Sequence, residues 1–95
     1  MTNKAFSTNV NPGYNQDGFH MTFENGCTIS VQFGKHTYSN QGETTAEIGA
    51  WHSNGNWMIH QEGDWIEIPD GNTDIMTHRT ADEVAHLMLT LSQYK

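Results

Sequence analysis

Apolar and polar residues alternate with period two on both sides of Asn25-Gly26. Phe19, Met21 and Phe23 are separated by His20 and Thr22; Cys27, Ile29, Val31 and Phe33 are separated by Thr28, Ser30 and Gln32. That pattern predicts a β-hairpin with one buried face. A two-residue Asn-Gly loop would set Phe23 opposite Thr28 and Met21 opposite Ser30, mixing the faces. A three-residue loop, Glu24-Asn25-Gly26, with Gly26 left-handed in a G1 bulge, pairs Phe23 with Cys27, Met21 with Ile29 and Phe19 with Val31. This keeps every apolar residue on one side, and a buried face selects register strongly. The bulged turn is expected.

A second hairpin is predicted from Ala46–His52 and Trp57–Gln61, turning at Ser53-Asn54-Gly55-Asn56. Its register stays open: a three-residue loop pairs Trp51 with Trp57, a two-residue loop pairs Trp51 with Met58. Gly63 breaks the chain before a short fifth strand at Trp65–Ile68, and residues 69–79 read as loop. Thr80-Ala81-Asp82-Glu83 has the form of a capping box, followed by Val84, Leu87, Met88, Leu91 and Tyr94 at helical spacing. A helix of this length needs a packing partner, and the inner face of the sheet is the only large apolar one. The expected class is α+β, in two layers: a four- to five-stranded antiparallel β-meander packed against one C-terminal α-helix. Residues 1–17, rich in Asn, Thr and Ser, read as a flexible arm, ordered only where Phe6, Val10 or Tyr14 finds a groove; residues 18–95 form the single domain.

Composition narrows the partners. Ninety-five residues hold four Lys+Arg against eleven Asp+Glu, a formal charge of −7. A chain this acidic lacks the clustered cations needed to bind a phosphate backbone or an anionic membrane surface. The single cysteine, Cys27, closes no internal disulfide and points to a reducing compartment. Met1–Val10 is polar and no apolar run is long enough to span a bilayer, so a cytoplasmic protein is expected.

The middle of the chain resembles a family of small bacteriophage and prophage proteins. The residues carrying the resemblance are Met21-Thr22-Phe23-Glu24-Asn25-Gly26, Thr28–Gly34, Ala46-Glu47-Ile48, Ala50-Trp51, Gly55-Asn56-Trp57 and the helix start Thr80-Ala81-Asp82-Glu83-Val84. The resemblance spans roughly residues 18–88. It departs at Cys27, where the family has an aromatic, and at His52, where it has an acid. It implies a phage-encoded protein acting in the bacterial cytoplasm and supplies no catalytic residues.

Candidate chemistry is sparse. Asp70, Asn72 and Asp74 have the first spacings of a calcium loop, but Ile75 stands where the sharp turn needs Gly and Ala81 where the bidentate Glu belongs. The six histidines form no H-x-H or H-E-x-x-H pair, and Cys27 has no metal-motif neighbour. Cys27 reads as a small buried hydrophobe. No nucleophile motif or phosphate-cradling loop occurs, so no catalytic residue, metal or cofactor is assigned. Two features remain. Residues 61–95 carry Glu62, Asp64, Glu67, Asp70, Asp74, Asp82 and Glu83 against only Arg79 and Lys95. Of these, Glu62, Asp64, Glu67, Asp70 and Asp74 form the candidate acidic patch for a basic partner. Trp51, Trp57 and Trp65 lie in neighbouring strands as aromatic binding candidates. The nearly uncharged outward face of the first hairpin suits a second subunit, making a homodimer, through strand edges or through this face, a further expectation. The expected function is therefore non-enzymatic: an inhibitor or modulator of a host cytoplasmic protein, such as a basic nucleic-acid-binding defence enzyme. The alternatives are a sponge for a small nucleotide signal and a virion or assembly component.

Overall fold

The computed structural model describes residues 5–6, 18–34, 37–41, 43–69 and 71–95. Six strands and one helix follow in order: β1 (Gly18–Thr22), β2 (Cys27–Gln32), β3 (Thr45–His52), β4 (Trp57–Gln61), β5 (Asp64–Ile68), β6 (Met76–Thr80) and α1 (Ala81–Ser92). The sheet is antiparallel in the order β1-β2-β3-β4-β5. The α+β, two-layer meander with a C-terminal helix is the architecture observed. No helix among the described residues is long and apolar enough to cross a membrane.

Both hairpins turn in the same way. Phe23 donates to the Cys27 carbonyl at 2.8 Å and Gly26 donates back to Phe23 O at 3.0 Å, with Gly26 at φ +88°. In the second hairpin His52 donates to Asn56 O at 2.8 Å and Gly55, at φ +97°, donates to His52 O at 2.9 Å. The turn asparagine repeats its role as well: Asn25 Oδ1 accepts from Cys27 N and Asn54 Oδ1 from Asn56 N. Such a side-chain clasp pre-forms a three-residue bulged turn. Met21 therefore pairs with Ile29 and Phe19 with Val31, as expected, and the open register of the second hairpin resolves to Trp51 opposite Trp57.

Residues 69–79 are not all loop, which corrects the sequence reading. Met76–Thr80 forms β6 and pairs with the first half of β3, Thr45 with Thr80 and Ile48 with Met76. β2 lines one edge of β3, so β4 and β6 share the other. The apolar pattern hid β6 because Met76 is its only buried residue, and because its register shifts against Ala46–Ile48, where His78 takes φ +52°. Such a bulge erases alternation.

α1 begins as the capping box foretold: Glu83 N donates to Thr80 Oγ1 and Thr80 N to Glu83 Oε1. Val84, Leu87 and Leu91 press onto Cys27, Ile29, Val31, Ile48, Ala50, Met58, Trp65 and Met76. Asn25 closes the far end, its Nδ2 donating to the carbonyls of Leu91 (2.7 Å) and Tyr94 (3.0 Å). The Leu91 carbonyl also accepts from Tyr94 N at 3.1 Å, so Asn25 reinforces the end of a helix that carries no basic side chain in its last turn. Of the N-terminal arm, Phe6 is buried and its ring lies 5.9 Å from that of Phe33; Val10 and Tyr14 lie outside the described residues. One expectation fails at the margin. Phe19 and Met21 share the inner face with Ile29 and Val31, yet they stay 38% and 41% exposed, because β1 is an edge strand beyond the reach of α1.

Candidate functional site

The sheet has one covered face and one open face, and strand alternation decides which side chain falls on which. With Ile29, Ala50, Met58 and Trp65 inward, the residues between them point outward. One row of partners across the open face runs Thr28, Trp51, Trp57, Ile68; the pair Ile59–Ile66 lies beside it. The Trp51 and Trp57 rings sit 5.2 Å apart at 49°, and His20 meets Trp51 edge-on at 5.3 Å. Gly49 permits this arrangement, since a β-carbon there would lie 3.1 Å from Trp57 Cζ3. The tryptophans shield Thr28 and Ser30, which are buried, while both rings remain half-buried and Ile66 is 42% exposed.

Around this apolar centre the polar groups are neutral. Thr22 and Thr28 hydroxyls share a hydrogen bond of 2.8 Å, and Gln32 Nε2 donates to Ser30 Oγ. Among the described residues the only ionised side chains placed on this face by the alternation are Glu47 and Asp64, at its borders. The Glu47 carboxylate already accepts from Tyr38 N at 2.8 Å. The described cations lie elsewhere: Arg79 beside α1 and Lys95 at the last position.

The three candidate tryptophans do not form one group. Trp65 points inward, is 7% exposed and donates its indole N–H to Thr90 Oγ1 at 2.9 Å, pinning β5 beneath α1. It is a core residue; the aromatic candidates reduce to Trp51 and Trp57. No aromatic pocket is built from all three.

The acidic candidates are likewise dispersed. Glu62 and Asp64 sit at the β4–β5 turn, while Asp74 lies beyond the other end of β5, where its Oδ1 accepts from Ile75 N. A five-residue strand separates them by about 15 Å. Asp70 lies outside the described residues. Glu67 faces the inner side and is committed to the fold. It accepts from Tyr94 Oη at 2.6 Å, Asn54 Nδ2 at 2.7 Å and Asn56 Nδ2 at 3.0 Å. Those donors, Tyr94 first, hold its carboxyl down at about pKa 2, while the same bond pushes the Tyr94 phenol up to about 12. Glu67 is a structural anion and not a free patch residue.

Two further features bear on chemistry. Cys27 is fully buried with its Sγ 3.8 Å from Met58 Sδ, and burial pushes its thiol pKa up, which suppresses the thiolate. A cleft of about 320 Å³ opens between β4, β6 and the start of α1, lined by His60, Arg79, Asp82, Glu83, His86 and Leu87. Sequence reasoning missed it because its residues come from three elements with no common spacing. In it the His60 and His86 rings stand perpendicular at 5.9 Å, and Arg79 pairs with Glu83 at 3.6 Å. His60 Nε2 and Arg79 Nε are buried without a hydrogen-bond partner among the described residues. No Ser, Thr or Cys nucleophile lines the cleft, and no group of three metal-ligating side chains is assembled among the described residues.

In comparisons with known proteins, no family model, no curated protein and no solved structure matches this chain.

Proposed function

We propose that this chain is a non-catalytic, phage-encoded binding protein that engages a protein of the bacterial cytoplasm through its open sheet face. The observation that carries the reading is the Trp51–Trp57 pair, at 5.2 Å, in the middle of a face with no lysine or arginine among its described residues. Tryptophans centred in an apolar patch are the usual anchors of a protein interface, with neutral or charged groups forming the rim. Carboxylates at the borders of the face and a net charge of −7 favour a partner whose own rim is basic. A host enzyme that binds nucleic acid, such as a defence nuclease, presents such a surface. The family resemblance of the two hairpins supports the phage origin and the cytoplasmic setting.

The test is binding to purified candidate effectors at several salt concentrations. Wild-type chain is expected to bind more weakly as salt rises. Trp57→Ala and Ile66→Lys should each weaken binding about 30-fold or more, the loss of a hot-spot contact, with the thermal transition of the isolated chain retained. Binding that ignores both substitutions contradicts the proposal. The alternative, a sponge for a nucleotide-type signal, loses the three-tryptophan pocket and is left with the Arg79–His86 cleft. A rise in melting temperature with cyclic nucleotides, abolished by Arg79→Ala, would favour it.

A further inference from the structure

We infer that β1 is a pairing edge for a second copy of this chain, with two β1 strands running antiparallel about His20 and joining two sheets into one. Among the described residues β1 pairs with β2 and nothing else. The ladder shows which of its backbone groups are unused among the described residues. Phe23 donates to Cys27 O, so this is a hydrogen-bonded pair, and antiparallel alternation puts Met21 and Phe19 in the same class. Their N–H and C=O groups face β2. Those of Gly18, His20 and Thr22 face away from the sheet.

Exposed edges are normally blunted by a lysine, a proline, a bulge or a covering segment. The strand Gly-Phe-His-Met-Thr has no charge and no proline, holds an unbroken register over five pairs, and has four of its five residues exposed. β5, at the other end of the strand order, is defended: it carries Asp64 and Glu67 and runs into Pro69.

Two observations select a second copy as the occupant. The first is self-complementarity. A two-fold axis through His20 pairs it with its counterpart and pairs Gly18 with Thr22 of the second copy in both directions, satisfying all three outward-facing residues on each strand. The same operation sets Phe19 against Met21 of the second copy, twice, on the inner face. These are two of the largest exposed hydrophobics, although the stripe they belong to is otherwise buried at Ile29 and Val31. The second observation is charge. Each copy carries −7, and β1 has no ionised side chain to set against its counterpart. A basic partner would gain nothing from this edge, whereas a like-charged copy loses little. One strand pair buries less than the ~1,000 Å² typical of stable complexes, so association is concentration-dependent. The inference does not rest on the role given to the opposite, tryptophan-bearing face.

Sedimentation velocity on the full chain from micromolar to near-millimolar concentration provides the test. The wild-type chain should shift from monomer to dimer. Met21→Lys places a charge in the seam and should move the transition at least about tenfold higher in concentration. Hydrogen exchange supplies the second readout: the amides of Gly18, His20 and Thr22 should slow as concentration rises, while those of Phe19 and Met21 stay protected throughout. A chain that remains monomeric overturns the inference. So does a dimer indifferent to Met21→Lys, or one whose newly protected amides lie outside β1.

Discussion

A single carboxylate, Glu67, ties three parts of the chain together: the second hairpin turn through Asn54 and Asn56, its own strand β5, and the chain end through Tyr94. Its pKa lies at about 2 in the folded state against 4.5 ordinarily, so the charged form is the one the fold stabilises. Such a depressed carboxylate adds stability above its unfolded value and loses it as pH falls toward the folded one. Melting temperature is expected to decline between about pH 4.5 and 2, and Glu67→Gln should melt lower at neutral pH with a shallower decline across that window. An unchanged acid limb would contradict the assignment. Asn25 performs a parallel task at the helix end. Asn25→Asp keeps the acceptor for Cys27 N but turns a carboxylate toward the carbonyls of Leu91 and Tyr94. Denaturant unfolding should show a loss of about 1–3 kcal/mol, the cost of breaking partly buried hydrogen bonds and leaving polar groups unpaired. Neither residue announces this in the sequence. Asn25 reads as a turn asparagine and Glu67 as one acid among many, because their partners lie 66–69 and 11–27 positions away.

Elements that depend on local chemistry were legible, and those held by distant contacts were not. The first bulged turn, the register Met21–Ile29 and the Thr80 cap follow from residues within a few positions of one another, whereas the loop length of the second hairpin stayed open. Thr80→Ala should cost about 1 kcal/mol and lower the melting temperature by about 4–8 °C. The β4–β5 turn is the weak one. It is a two-residue loop in which Glu62, with φ +52°, precedes Gly63 at +86°, a left-handed pair that favours Asn-Gly. Glu62→Asn is expected to stabilise the chain by about 0.5–1 kcal/mol in thermal or denaturant unfolding, through relief of the left-handed strain. β6 escaped the sequence reading because it is polar, bulged at His78 and held in place by β3, which lies about thirty residues earlier.

At the scale of the whole molecule, the described residues form a sheet with one side spent on its core and the other left available. The bulged second turn sets Trp51 opposite Trp57 and so puts both on one face, a register that period two alone leaves open, and period alone does not say which face α1 covers. That choice follows from the alternation of Ile29, Ala50 and Met58 in register with one another, and it sends Trp65 inward. The acidic half of the sequence likewise looked like one patch because charge was counted along the chain. In three dimensions β5 separates Glu62 and Asp64 from Asp74, and Glu67 turns beneath the sheet. The most direct measurement is acrylamide quenching of tryptophan fluorescence in two variants, Trp65→Phe and the double substitution Trp51→Phe with Trp57→Phe. The open-face account predicts ready quenching in the first, where only the outer pair emits, and strong shielding in the second, where only Trp65 emits. Equal shielding in both would mean that the tryptophan face is covered, and ready quenching of Trp65 would mean that the helix does not seal the core.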